Sequence, residues 1–177
     1  RLRALPDGKG AEIRERVGND RWEAIRAVGA DAWLPLADMI QLCDAIVEVL
    51  GEGPSREFWT ALMLDTYDSG LLRAMAAGVR ASHEGAAAAG QLLRLAPAAW
   101  AMVTRACGDI DLVEDEGGRL RLGSGSLLPE VVKSRGIQSL FLGACQSMLD
   151  QFRARARIDV TTVPGPGDRV VYTIAPA

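Results

Sequence analysis

Histidine occurs once in these 177 residues, at His83. One imidazole excludes a histidine-built zinc site, because zinc asks for four nitrogen, sulfur or carboxylate ligands held close together. The cysteines do not fill that gap. Cys43, Cys107 and Cys145 are three in number, widely spaced, and each sits in an apolar helical pattern. They read as small buried hydrophobes in a reducing compartment, so a cytoplasmic protein is expected. Aromatic residues make up only 5% of the chain, and the formal net charge is -3. A mildly acidic chain without rings beside its basic residues offers no general surface for nucleic acid. No apolar run approaches the roughly 18 residues of a membrane-spanning helix. No charged-then-apolar leader opens the chain. The first residue is Arg1 rather than Met, so further N-terminal sequence is expected ahead of it.

The motifs of common chemistries are missing too. No phosphate loop ends in Gly-Lys-Ser/Thr. Gly123-Ser124-Gly125-Ser126 lacks the Gly-x-Ser-x-Gly spacing of a nucleophile elbow. A serine or cysteine nucleophile would need His83 as its base. The acidic run Glu114-Asp115-Glu116 is a solvated turn, and Arg153, Arg155 and Arg157 offset the carbonyls at a helix end. No catalytic constellation emerges, so a non-enzyme is expected, without metal or cofactor.

What is present is a periodic apolar pattern. The apolar fraction is 49% and the charged fraction 24%, ordinary for one globular domain. Residues 1–18 read as a polar N-terminal arm and 19–177 as a single α+β domain. From Pro35 a helix carries Leu36, Met39, Ile40, Cys43, Ile46, Val47 and Leu50 on one face. Gly51-Glu52-Gly53 breaks the chain, and Pro54-Ser55 opens the next helix. Residues 81–92 are rich in alanine and glycine and weakly patterned. After Gly108 the period changes to two. Ile110 and Leu112 alternate with Asp109 and Asp111, and Leu120 and Leu122 with Arg119 and Arg121. That is a hairpin over 109–122, with the aspartates set to face the arginines.

A long helix over about 131–153 follows. Ile137, Leu140, Phe141, Ala144, Cys145, Met148, Leu149 and Phe152 share one face of it. A second hairpin spans 158–174, where Val170, Tyr172 and Ile174 alternate as in a half-buried strand. The two hairpins are expected to join in one four-stranded antiparallel sheet, with the N-terminal helices packed on one face.

Gly136-Ile137-Gln138-Ser139-Leu140-Phe141-Leu142-Gly143, Ile158-Asp159-Val160 and Val170-Val171-Tyr172-Thr173-Ile174 carry a resemblance. They resemble the ligand-binding superfamily of haem nitric-oxide-binding domains, TRAPP vesicle-tethering subunits and 4-vinyl-reductase-like domains. Trp33-Leu34-Pro35 and the helix ending Val49-Leu50-Gly51 look like an uncharacterised paralogous family common in myxobacteria. The resemblance implies two alternatives. One is a non-catalytic sensory or regulatory module that binds a small apolar ligand or a protein partner. The other is a scaffolding subunit that forms a homodimer through its helices, as TRAPP subunits do. A haem-binding member uses an axial histidine followed by Tyr-x-Ser-x-Arg, whose arginine pairs with the haem carboxylates. Here the nearest match, Tyr67-Asp68-Ser69-Gly70-Leu71, precedes His83 and has leucine in place of arginine. No haem is expected.

The candidate ligand residues come from the few large side chains. Trp59, Met63, Met75, Trp100 and Phe141 either fill the core or line an apolar pocket between helices and sheet.

Overall fold

Glycines with positive φ set the rhythm of the N-terminal half. Gly18 (φ 87°) separates α1 (Lys9–Val17) from α2 (Asn19–Ala27). Gly51 (φ 83°) separates α3 (Leu36–Leu50) from α4 (Glu52–Thr66). The computed structural model describes residues 2, 5, 8–29, 32–67, 70–123, 126–163 and 169–176. The turn read at 164–168 and the centre of the Gly-Ser link, 124–125, lie outside the described residues. The chain continues as α5 (Gly70–Arg80), α6 (Gly85–Arg94), α7 (Ala96–Val103), β1 (Asp111–Glu114) and β2 (Leu120–Gly123). Then come α8 (Pro129–Lys133), α9 (Arg135–Gln151), β3 (Ala156–Val163) and β4 (Arg169–Pro176). The strands form one antiparallel sheet in the order β1-β2-β4-β3. This is the α+β architecture of helices on a four-stranded sheet that the sequence predicts.

α9 is the centre of the molecule. Its expected apolar stripe meets the sheet: Cys145 and Leu149 pack with Leu120, Leu122, Val170, Tyr172 and Ile174. The opposite face is buried as well, and it is built of small residues. Gly136, Ser139, Gly143 and Ser147 recur three or four residues apart, so they line one side of the helix. A Cβ on Gly136 would overlap the backbone of Cys43 and Asp44 in α3. One on Gly143 would come within 2.5 Å of Trp59 Cβ and 2.9 Å of Thr60 N in α4. Between them, Ser139 and Ser55 share a buried hydroxyl–hydroxyl hydrogen bond of 2.8 Å. Small side chains therefore let α3 and α4 lie close against α9.

The elements differ from the sequence reading at several points. The long helix does not start at 131. It is two helices, split at Ser134, whose hydroxyl accepts from Ile137 N (3.0 Å) and donates to Asp44 Oδ1 (2.8 Å). Asp44 also accepts from Gly136 N at 2.7 Å, so α3 caps α9 through a carboxylate. α4 begins at Glu52 rather than Pro54. Gly51 alone makes the break, and Pro54 sits in the first turn, where no N–H is needed. A short helix ending at Gly18 is also what the sequence suggests over 12–17; α1 starts earlier, at Lys9, and its Ile13 and Val17 are buried with Cys43, Ile46 and Val49. The strands run over 111–114 with 120–123 and over 156–163 with 169–176.

The cross-strand charges also fall elsewhere. Asp111 lies opposite Gly123, not an arginine, and reaches past it to Arg169 at 2.8 Å. Arg119 and Arg121 both turn to Asp115, at 2.8 and 3.4 Å. That carboxylate also accepts from the Arg119 backbone N–H and, with less effect, from that of Gly117, which holds its pKa below the ordinary carboxylate range.

Candidate functional site

Cavities interrupt the packing of the described residues, and two stand out. One is a shallow cleft of about 610 Å³ between α3 and its neighbours. Three of its charged groups are already engaged: Arg16 pairs with Glu48 at 2.8 Å, and Asp44 caps α9. The other, about 500 Å³, lies where α9, α7, the end of α4 and the inner face of the sheet converge. This size is typical of small-molecule sites, and its wall is mostly apolar, as in such sites.

An aromatic row forms one wall. Trp100 of α7 stands 5.0 Å from Phe141 of α9, and Phe141 stands 5.7 Å from Tyr172 of β4, between ring centroids. Trp100 is anchored by its indole N–H, which donates to Gly108 O at 2.8 Å. Gly108 has φ 83°, and a Cβ there would overlap the backbone of Ser126 and Leu127, so glycine is required. Met63, Thr66 and Tyr67 close the α4 side, and Trp33 and Arg105 stand at the exposed rim. The Arg105 guanidinium lies 4.5 Å from the Trp33 ring centroid. The rim segment turns through Ala106 at φ 54°, an uncommon conformation for alanine.

Among the described residues, most of the wall's hydroxyls and amides are spent on neighbouring groups. Thr66, Thr104 and Ser147 donate to backbone carbonyls at 2.6, 2.8 and 2.7 Å. Gln138 donates to Val132 O at 2.8 Å. Burial pushes the Tyr67 phenol up, the Ser147 hydroxyl beside it pulls the other way, and Cys145 adds a smaller upward push. Tyr172 is 5% exposed, and its hydroxyl makes no hydrogen bond among the described residues. Tyr172 is one of the residues that line the cavity. Burial, with a smaller push from Cys145, raises the pKa of the Tyr172 hydroxyl well above the ordinary 10.0, so it remains an O–H donor at neutral pH.

Of the expected ligand residues, the structure brings Met63, Trp100 and Phe141 to this cavity. Trp59 and Met75 lie elsewhere. Trp59 is buried among Ile13, Cys43, Ile46 and Ile137, with Phe58 edge-on at 5.2 Å. Met75 packs beside Tyr67, Ala76 and Val79. Sequence reading missed Tyr172 as a site residue, because strand alternation marks it only as inward-facing. It missed Arg105 altogether, since nothing in its neighbours separates it from any surface arginine.

No family model matches the chain, and no curated protein matches it. Solved structures do. One, described as probing the function of heme distortion in the H-NOX family, is 13% identical with a TM-score of 0.60. The match covers 99% of this chain and 90% of that one. Two Fe(II) unliganded H-NOX proteins from K. algicida, one a mutant, have TM-scores of 0.64 and 0.58 at 14% and 15% identity. Each match covers 99% of this chain and 92% of the other. The chain has the fold of an H-NOX domain.

That fold raises the question of haem, and the cavity residues do not suit it. No histidine lines the cavity. His83 is exposed, in the turn after α5, with its N–H on Val79 O. Burial pushes the Cys145 thiol up to about 12, so it stays protonated and is a poor metal ligand at neutral pH. Arg105 is the one cation among the described residues of the lining, against the two carboxylates of haem. Among the described residues no cluster of His, Cys, Asp or Glu is arranged to hold a metal ion, and no helix is long and apolar enough to cross a membrane.

Proposed function

We propose that this protein is a non-catalytic sensory or regulatory module that binds a small apolar ligand, other than haem, in the cavity beneath Trp100, Phe141 and Tyr172. The observation that carries the reading is the cavity itself: about 500 Å³, apolar-walled, on the axis of the central helix α9. A ligand there touches α4, α7, α9 and the sheet together, so its binding energy acts on how these elements pack. That is what a sensor needs, and the H-NOX-like fold supports it. Three buried free thiols fit a reducing compartment such as the cytoplasm.

The test is titration with N-phenyl-1-naphthylamine, a neutral fluorescent probe. Saturable binding of one probe per chain is expected. Ala144→Phe fills the cavity and should abolish it while leaving the circular dichroism spectrum unchanged. Equal binding by a folded Ala144→Phe would rule the cavity out.

A second reading rests on a different observation. Trp33, Met102 and Val103 are 44%, 56% and 62% exposed, an apolar strip along α7 and the cavity rim. It suits a partner surface, and so a scaffolding subunit that dimerises through its helices, in the manner of TRAPP subunits. Sedimentation of wild type against Met102→Lys, Val103→Glu tests it: only a dimer lost in the variant supports this reading.

A further inference from the structure

The unspent polar groups of the cavity say which apolar ligand it takes. The interior contributes one, the hydroxyl of Tyr172, a lining residue whose phenol burial keeps protonated. The rim contributes the other, the Arg105 guanidinium. None of the ten ion pairs among the described residues, all of them between an arginine and a carboxylate, uses Arg105. Its side chain is instead stacked at 4.5 Å on Trp33, which also lines the cavity. Stacking of this kind holds the guanidinium plane without consuming its N–H donors. Among the described residues the lining holds no carboxylate to answer it. An apolar chamber with one donor inside and one cation at its mouth suits a molecule with its charge at one end.

We infer that the ligand is an amphiphilic anion, with its apolar body against Trp100, Phe141 and Tyr172 and its acidic head on Arg105. This rests on the cavity reading above and goes further by assigning Arg105 as the residue that selects for charge. A neutral molecule of the same shape gains the apolar contact but leaves the guanidinium to water. An anion gains both. At an exposed rim an ion pair contributes at most about 1 kcal/mol, or about fivefold in affinity.

Two probes separate the terms. 1-Anilinonaphthalene-8-sulfonate and N-phenyl-1-naphthylamine share one aromatic body and differ by the sulfonate. Each is titrated by fluorescence into wild type and Arg105→Met, a change that keeps an unbranched apolar stem and removes the charge. The sulfonate probe should weaken about fivefold in the variant, while the neutral probe is unchanged. Added salt should weaken the sulfonate probe on wild type and not on the variant. Equal loss for both probes would make Arg105 a structural residue and overturn the inference. So would a sulfonate affinity indifferent to Arg105→Met. Failure of both probes to bind wild type would instead sink the cavity reading on which the inference stands.

Discussion

Gly136→Ala is the substitution that probes the core of this fold most sharply. Gly136 stands at the second position of α9, directly on the backbone of Cys43 and Asp44. Those atoms belong to a helix and cannot swing aside as a side-chain tip can. A methyl group there must push α9 away from α3. Overpacking of this kind costs about 1–3 kcal/mol. Separation also stretches the 2.7 Å hydrogen bond from Gly136 N to the Asp44 carboxylate, a bond to a charged group worth about 1.5–3 kcal/mol. Against this, alanine gains at most about 1 kcal/mol in helix propensity. The balance is a loss of about 2–4 kcal/mol, or on the order of 10 °C in Tm for a chain of this size. Gly78→Ala is the control. It lies exposed inside α5 with nothing within 4 Å of a new Cβ, so it should stabilise by up to about 1 kcal/mol. Urea denaturation with far-ultraviolet circular dichroism measures both. A Gly136→Ala protein within about 0.5 kcal/mol of wild type, the range of a surface change, would refute the close approach of α3 and α9.

Other outcomes follow from the buried groups. Excess haemin, with the unbound fraction removed, should leave no stoichiometric Soret band, and His83→Ala should behave as wild type; a one-to-one band lost in that variant would contradict the haem-free reading. Stability should fall in alkali. Burial raises Cys145 from its ordinary 9.0 to about 12 and lifts Tyr67 and Tyr172 above 10.0, so the unfolded chain releases these protons first. The urea midpoint should therefore drop as the pH rises from about 9 towards about 12, less steeply in Cys145→Ala, and a level curve over that window would speak against these burials.

The architecture was legible where one period dominated. Leu36 to Leu50 and Ile137 to Leu149 announce their helices, and Val170, Tyr172 and Ile174 their strand. The second face of α9 was also written in the sequence, as Gly136, Ser139, Gly143 and Ser147, but small and polar residues do not register as core in a hydrophobicity pattern. Their burial depends on α3 and α4 arriving at short range, which is a tertiary fact. The cavity was half legible for the same reason. Met63, Trp100 and Phe141 reach it, whereas Trp59, of the same chemistry, lies one face away against Gly143. Large apolar side chains declare burial but not whether they fill a core or wall a space. Arg105 gave no signal, since its role comes from the rim it stands on and from Trp33, distant in sequence.

The central claim is that a small apolar molecule occupies the space between α7, α9 and the sheet. The most direct measurement is a crystal structure of the protein grown with N-phenyl-1-naphthylamine. Density for the naphthalene ring against Trp100 and Phe141, within reach of the Tyr172 hydroxyl, is the predicted result. A closed cavity, or probe density only on the exposed Met102–Val103 surface, would contradict it.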